Sequence, residues 1–362
     1  LPEPTLDWAG DGSLCADSTS STVHFCDSVA NAPLLFAELS TDSRTAHILE
    51  RIQRYADFLS AQFRTFSVDE FISSNVEAGT GIGFRHGPGA VAESGRYSRK
   101  YEFPNWPAKL QTLFKYEECG TTAGFVDERP CSSEFYSRLI AVPKTAKSPR
   151  LIASEPTSHQ WCQQAMLRFF SEEFDRLFGN HFISLRNQER SGEMARKGSL
   201  NRSLCTIDLS SASDRLTCYV VERIFRSNPS ILNHLHACRT RIVRSNLPGF
   251  TGYIRQKKFA SQGTAVTFPV QSFVFLVIAL AVSGPEYPSW QALNRLRHKV
   301  RVFGDDIIIP SDGYADMVNA LHYLSLRVNT NKSFVNGYFR ESCGYDYYKG
   351  YDITPVKPAH II

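Results

Sequence analysis

Three aspartates stand out for the company they keep. Cys205-Thr206-Ile207-Asp208 is a short β-type run that delivers a carboxylate at its end, with Asp214 six residues on and a helix-periodic stretch, Leu216–Phe225, behind it. Downstream, Val300-Arg301-Val302-Phe303-Gly304-Asp305-Asp306-Ile307-Ile308-Ile309-Pro310 sets two adjacent acids in a glycine-containing turn between apolar runs, which predicts a hairpin with the acids at its tip. Like charges held together repel and gain little unless a cation binds them. Magnesium keeps several waters, takes one or two protein carboxylates and completes its shell with substrate phosphates. Asp208 and Asp305 on neighbouring strands would therefore form a platform for two Mg²⁺ ions, suited to phosphoryl transfer.

A G-D-D tripeptide alone is a weak signal, and its surroundings sharpen it. Between the two acidic segments, Ser261-Gln262-Gly263-Thr264-Ala265-Val266-Thr267-Phe268-Pro269-Val270-Gln271 is a Ser/Gly/Thr loop leading into a helix, with Pro269 placed for a first turn. Its amides and hydroxyls suit either sugar and phosphate or plain helix capping. Upstream, 138–150 carries Arg138, Lys144, Lys147 and Arg150 without an acid between two strand-like runs, a basic hairpin. A second acid-free stretch, 239–258, holds Arg239, Arg241, Arg244, Arg255, Lys257 and Lys258. Either alone is an ordinary solvated face; with the acids they point to nucleotide polymerisation. Residues 79–89, GTGIGFRHGPG, ask for turns or close backbone approach. His86 there has no second His or Cys at ligand spacing, which leaves it a hydrogen-bonding role.

Supporting elements follow from periodicity. Ile48, Ile52, Tyr55, Leu59 and Phe63 predict a helix over 46–66, and the apolar run 273–282 predicts a buried core helix, being about half the ~20 residues of a membrane span. With 362 residues, 42% hydrophobic and 21% charged, the chain is globular and long enough for two or three lobes. Net charge is only +4, yet 28 of the 40 basic residues are Arg, which tilts towards phosphate ligands. Nine scattered cysteines without a C-x-x-C pair indicate neither a disulfide framework nor a zinc site and suit a reducing setting. The first residues, Leu1-Pro2-Glu3-Pro4, lack an initiator Met and a signal pattern, so the chain reads as excised or incomplete.

Taken in order, RHGPGAVAE (85–93), RLIAVPKTAKSPRLIASEP (138–156), TIDLSSASDRL (206–216), SQGTAVTF (261–268), VFGDDIIIPSD (302–312), NKSF (331–334) and FRESCGYDYYKGYDITPV (339–356) resemble the successive motifs of the RNA-dependent RNA polymerases, or replicase β-subunits, of positive-strand RNA bacteriophages, the levivirus group. The resemblance implies an α+β right-hand polymerase fold with an antiparallel palm sheet, fingers, and a truncated or missing thumb. It divides the chain into an N-terminal helical region (1–74), fingers (75–202), palm with motif A (203–226), a fingers or basic insertion (227–259), palm with motifs B to E (260–350) and an incomplete thumb (351–362). It makes Asp208 and Asp305 the Mg²⁺ ligands, Mn²⁺ being able to substitute, with Asp306 as accessory acid. Lys144, Lys147 and Arg150 would hold the triphosphate, and Asp214 with Ser261 or Gly263 would read the ribose. Thr267 and Gln271 join the nucleotide site, although many viral polymerases carry Asn where Gln271 stands. Lys332 would be the general acid to pyrophosphate, and 341–344 the loop gripping the product strand.

The implied partners are single-stranded RNA template and product, NTPs, and host translation elongation factors with a ribosomal protein, in the cytoplasm of a bacterial host and with no membrane. Two rivals remain at this point: a catalytically inactive RNA-binding polymerase-fold fragment, and a metal-dependent nuclease. The basic hairpin, placed before Asp208 and suited to a triphosphate, argues against the nuclease.

Overall fold

A computed structural model describes residues 43–93, 100–103, 105–120, 133–143 and 149–356. In chain order the main elements are α1 (Ser43–Ser60), α2 (Val68–Glu77), β1 (Tyr136–Pro143), β2 (Pro149–Ser154), α3 (Thr157–Phe178), α4 (Glu189–Asn201), β3 (Leu204–Ile207), α5 (Cys218–Phe225), α6 (Pro229–Cys238), β4 (Ile242–Leu247) and β5 (Phe250–Arg255). They continue with α7 (Thr267–Ser283), β6 (Arg301–Phe303), β7 (Asp306–Pro310), α8 (Tyr314–Tyr323), β8 (Phe339–Ser342), β9 (Tyr345–Tyr348) and β10 (Tyr351–Asp352). The expected α+β class holds. One sheet runs β2-β1-β4-β5, a second β3-β7-β6 and a third β10-β9-β8; every pairing is antiparallel except β1 with β4.

The apolar run becomes α7, which bears no charged residue and is buried on all sides from Pro269 to Val282. An all-round apolar helix has no solvent face and must be enclosed. Against it pack α1, α5, α8, β6 and β7. Aromatic rings close the space: Phe63 meets Phe273 edge-on at 4.8 Å, and Phe225 meets Phe273 at 5.2 Å. One contiguous apolar cluster reaches from Ile48 to Leu326. No helix among the described residues is long and apolar enough to cross a membrane.

The arginine excess has a structural share that composition hides. Arg223, Arg301 and Arg340 are among the largest fully buried side chains. Arg340 donates to the carbonyls of Leu204 and Val335, lashing β8 to β3, and Arg301 donates to Asn180 O, Asn187 O and the Ser191 hydroxyl. A guanidinium's five donors let it satisfy several loop carbonyls at once. Arg223 and Gln53 exchange hydrogen bonds of 3.0 and 3.1 Å, fastening α1 to α5. The described cysteines are free thiols.

Candidate active site

The acids meet through strand register. β3 pairs with β7 so that Ile207 faces Ile307, and β6 pairs with β7 so that Phe303 faces Asp306. Asp208, the residue after β3, therefore lies at the same end of the sheet as Asp306, while Asp305 occupies the β6–β7 turn. Asp306 is thus the first residue of a strand, and of the two only Asp305 lies in the turn proper. Gly304 adopts φ 63°, the positive φ needed at the first position of a II′ turn, and an added Cβ would stand 2.6 Å from the Phe268 ring. Its amide donates to the Ser272 hydroxyl on α7 at 3.0 Å, and that hydroxyl donates to Phe268 O at 2.7 Å. The core helix thereby sets the height of the turn.

Asp208 is held from the opposite side by the 3-10 turn Thr330–Lys332 and its flanks. Asn329 donates through Nδ2 to Asp208 Oδ2 at 2.8 Å and through its amide to Asp208 O at 2.9 Å, and the Asp208 amide donates to Ser333 Oγ at 3.1 Å. Burial, seconded by Asp305 and Glu341, pushes the Asp208 carboxyl up against the pull of Asn329 and Lys332. Asp306 is pushed up to about 6, again by burial first, then by Asp305, Asp208 and Glu341; the Cys343 amide, donating at 3.2 Å, opposes this. That amide belongs to the β8–β9 turn, where Cys343 and Gly344 both take positive φ as a I′ turn requires. Lys332 lies in the same acidic field, 3.5 Å from Glu341, and its ammonium is pushed up by Glu341 and then by Asp208 and Asp306.

Among the described residues no three Asp, Glu, His or Cys side chains converge tightly enough to enclose a metal ion. Asp208, Asp305 and Asp306 share one end of the sheet without closing round a single point. Their chemistry still suits magnesium, a hard cation that asks for one or two carboxylates and takes water and phosphate oxygen for the rest.

The nucleotide residues divide. The 138–150 segment is the predicted hairpin, β1 with β2, but Lys144 and Lys147 lie outside the described residues. Burial raises the Asp214 carboxyl, and the nearby charge of Arg150 on β2 pulls the other way. Gly263, at φ 111°, touches backbone: an added Cβ would overlap the Ala153 carbonyl, next to the 2.7 Å bond from the Ala153 amide to Gln262 O. The loop is pinned to β2 there. Its hydroxyls face inward, since Thr264 donates to buried Glu155 at 3.0 Å, Thr267 donates to Ser261 O at 2.9 Å, and Ser261 Oγ accepts from Gln256. Gln271 is 6% exposed, and its Oε1 has no hydrogen-bond partner. In the second basic stretch, Arg239 is buried and donates to Phe259 O, Gln256 O and Lys258 O, and Arg241 pairs with Glu134. Arg244 and Arg255 stand exposed. His86 hydrogen-bonds Gln160 at 3.1 Å.

Sequence reading missed Ser272, Asn329, Ser333, Glu155 and the Cys343 amide. The one local hint was Asn329 and Ser333 flanking Lys332; the others announce themselves only through partners far along the chain.

The profile of the family described as "RNA replicase, beta-chain" matches residues 107–359, and the chain belongs to that family. It is similar to the RNA-directed RNA polymerase subunit beta of Qbeta virus strain MX1, 34% identical over 227 residues, 63% of this chain and 36% of that protein. To the corresponding subunit of Enterobacteria phage SP it is 31% identical, covering 71% of this chain and 43% of the relative, and to the beta chain of Escherichia phage MS2 31%, covering 60% and 36%. The matched region thus spans a little over a third of the length of most of these relatives. Among solved structures, the RNA-dependent RNA polymerase of a human picorbirnavirus aligns over 59% of this chain and 43% of its own, with TM-score 0.41 and 11% identity.

Proposed function

We propose that the chain carries the nucleotidyl-transfer centre of an RNA-dependent RNA polymerase, adding NTPs to an RNA 3′-hydroxyl under the direction of a single-stranded RNA template. The observation that supports this reading most is the register that brings Asp208, Asp305 and Asp306 to one end of a three-stranded sheet, facing a lysine. In this reading β3-β7-β6 is the palm sheet and β2-β1-β4-β5 belongs to the fingers. Asp208 and Asp305 would hold Mg²⁺, or Mn²⁺ in its place, and Asp306 keeps the turn anchored through the Cys343 amide. The chemistry such ions would supply here is activation of the 3′-hydroxyl and charge neutralisation at the phosphates.

The chain's own groups do the positioning. In this reading Arg150, together with Lys144 and Lys147, would hold the triphosphate, and Asp214 and Gln271 would read the ribose. Lys332, kept protonated by its acidic neighbours, stands ready to give a proton to departing pyrophosphate. The protein would act in the cytoplasm of a bacterial host, with host translation elongation factors and a ribosomal protein as candidate partners.

The test is incorporation of labelled NTPs on primed and unprimed single-stranded RNA with Mg²⁺, beside Asp305→Ala. Template-dependent product that the variant fails to make supports the reading. RNA binding without product supports the inactive fragment, and RNA shortening without NTPs supports the nuclease.

A further inference from the structure

The sheet β2-β1-β4-β5 presents one face to solvent, and its register decides what that face carries. Arg138 faces Ser154 on β2 and Arg244 on β4, and Arg244 faces Tyr253 on β5; the neighbouring row brings Tyr136, Ile242 and Arg255 together. Because side chains alternate across a strand, Tyr136, Arg138, Arg150, Arg244, Tyr253 and Arg255 share this face. None of the four strands contains an acid. The Arg244 guanidinium carbon lies 5.7 Å from the Tyr136 ring centre and 5.9 Å from that of Tyr253, Arg244 Nη1 donates to the Tyr136 hydroxyl at 3.2 Å, and the two rings stand 5.3 Å apart at 76°. Tyr253 is 62% exposed, leaving ring surface open. Arg138 is half-buried, and its Nε, itself buried, has no hydrogen-bond partner.

Cross-strand Arg–Tyr pairs are ordinary on sheets and add only modestly to stability when exposed. Arg138, Arg244 and Arg255 with two tyrosines, on strands that carry no acid, exceed what sheet stability requires, since neighbouring cations repel unless an anion joins them. Aromatic rings beside backbone-neutralising arginines are what an unpaired polynucleotide needs, because every base has a π-face and every linkage a charge. A duplex hides its bases and offers nothing to stack. The strip also has a direction: β2, at one edge, carries Arg150, and β5 lies three strands away, roughly 14 Å at the usual strand spacing.

We propose that the Tyr136–Arg244–Tyr253 cluster is a stacking platform for an unpaired base of single-stranded RNA, with Arg138 and Arg255 on its phosphates, forming a track that leads along the sheet to the nucleotide side at β2. This deepens the polymerase reading, and rests on it for the direction of the track.

The experiment measures binding of a fluorescein-labelled twelve-nucleotide single-stranded RNA to the full chain by anisotropy, without NTPs and over a salt series. Melting curves of each variant confirm folding. Tyr253→Ala is expected to weaken binding roughly ten-fold and Tyr253→Phe to restore it, as for a stacked base. Arg244→Gln should lower the slope of log affinity against log salt by about one. Parent-like binding by folded Tyr253→Ala and Arg244→Gln overturns the proposal, as does an equal loss towards a blunt RNA duplex. Incorporation over a template series separates the two readings. A raised template requirement for half-maximal incorporation by Tyr253→Ala, matching its weakened RNA binding, supports the platform. If the parent incorporates no nucleotide yet Tyr253→Ala still loses RNA, the platform stands and the polymerase reading fails.

Discussion

Two carboxylates crowded by burial and by a third acid are a standing cost to the fold, because each ionised group loses water and gains a like-charged neighbour. Asp306→Asn is therefore expected to melt above the parent in metal-free buffer at neutral pH, by a gain on the order of 1–2 kcal/mol, while incorporation falls. Added Mg²⁺ should raise the melting temperature of the parent and leave Asp208→Asn/Asp305→Asn unmoved, a comparison that calorimetry with and without EDTA decides. A different residue sets a pH dependence. Burial pulls the Lys109 ammonium down to about 8, against the attraction of Glu134 at 3.8 Å. An unfolded lysine titrates near 10.4, so between those values the unfolded chain binds the extra proton and stability rises with pH. Lys109→Met should remove that rise, on the order of 2 kcal/mol, when urea midpoints at pH 7.5 and 9.5 are compared.

At the element scale, the sheet end is only as well placed as the pieces that hold its turns. Ser272 on α7 gives the Gly304 amide its acceptor, and a buried amide left without one costs about 1–3 kcal/mol. Ser272→Ala is expected to destabilise by that amount and to lower the incorporation rate more than NTP or RNA affinity, because the shift falls on Asp305. A single-turnover assay at saturating NTP checks this. Gly263→Ala should cost more, since the new methyl must displace the Ala153 carbonyl and break the pairing between the loop and β2. The outcome to look for is an insoluble or molten protein, and a cooperative melt close to the parent's would refute the account. Gly263, assigned to the ribose by resemblance, has a backbone packing role that suffices to explain its lack of a side chain.

For the whole molecule, the region before the acids is part of the core that carries them. Phe63 packs against Phe170, Phe174, Phe225 and Phe273, joining elements from four parts of the chain. Phe63→Ala should cost about 3–5 kcal/mol, with one cooperative transition retained in urea. Deleting residues 43–60 would strip α5 and α7 of their cover and leave buried Arg223 without Gln53. The expected result is loss of the cooperative melt, in contrast to the mild effect of removing a surface helix.

Much of this was legible in the chain itself. Alternation and β-branching marked the Asp208 strand and the Gly304-Asp305-Asp306 hairpin, acid-free positive charge between two strand-like runs marked the β1–β2 hairpin, and an unbroken apolar run marked α7, because these depend on backbone preference and on the period of side chains within one segment. Which acids meet was not local, since Asp208 and Asp306 become neighbours only through the register of β3 on β7. Ser333 reaches Asp208 from 125 residues away, and such a bond leaves no mark on either segment. The arginines show the division most plainly. Their number was evident at once, yet burial against carbonyls claimed Arg223, Arg239, Arg301 and Arg340, while sheet register left Arg244 and Arg255 facing solvent. A guanidinium satisfies a buried carbonyl and a phosphate by the same hydrogen bonds, so only the tertiary structure decides which one it serves.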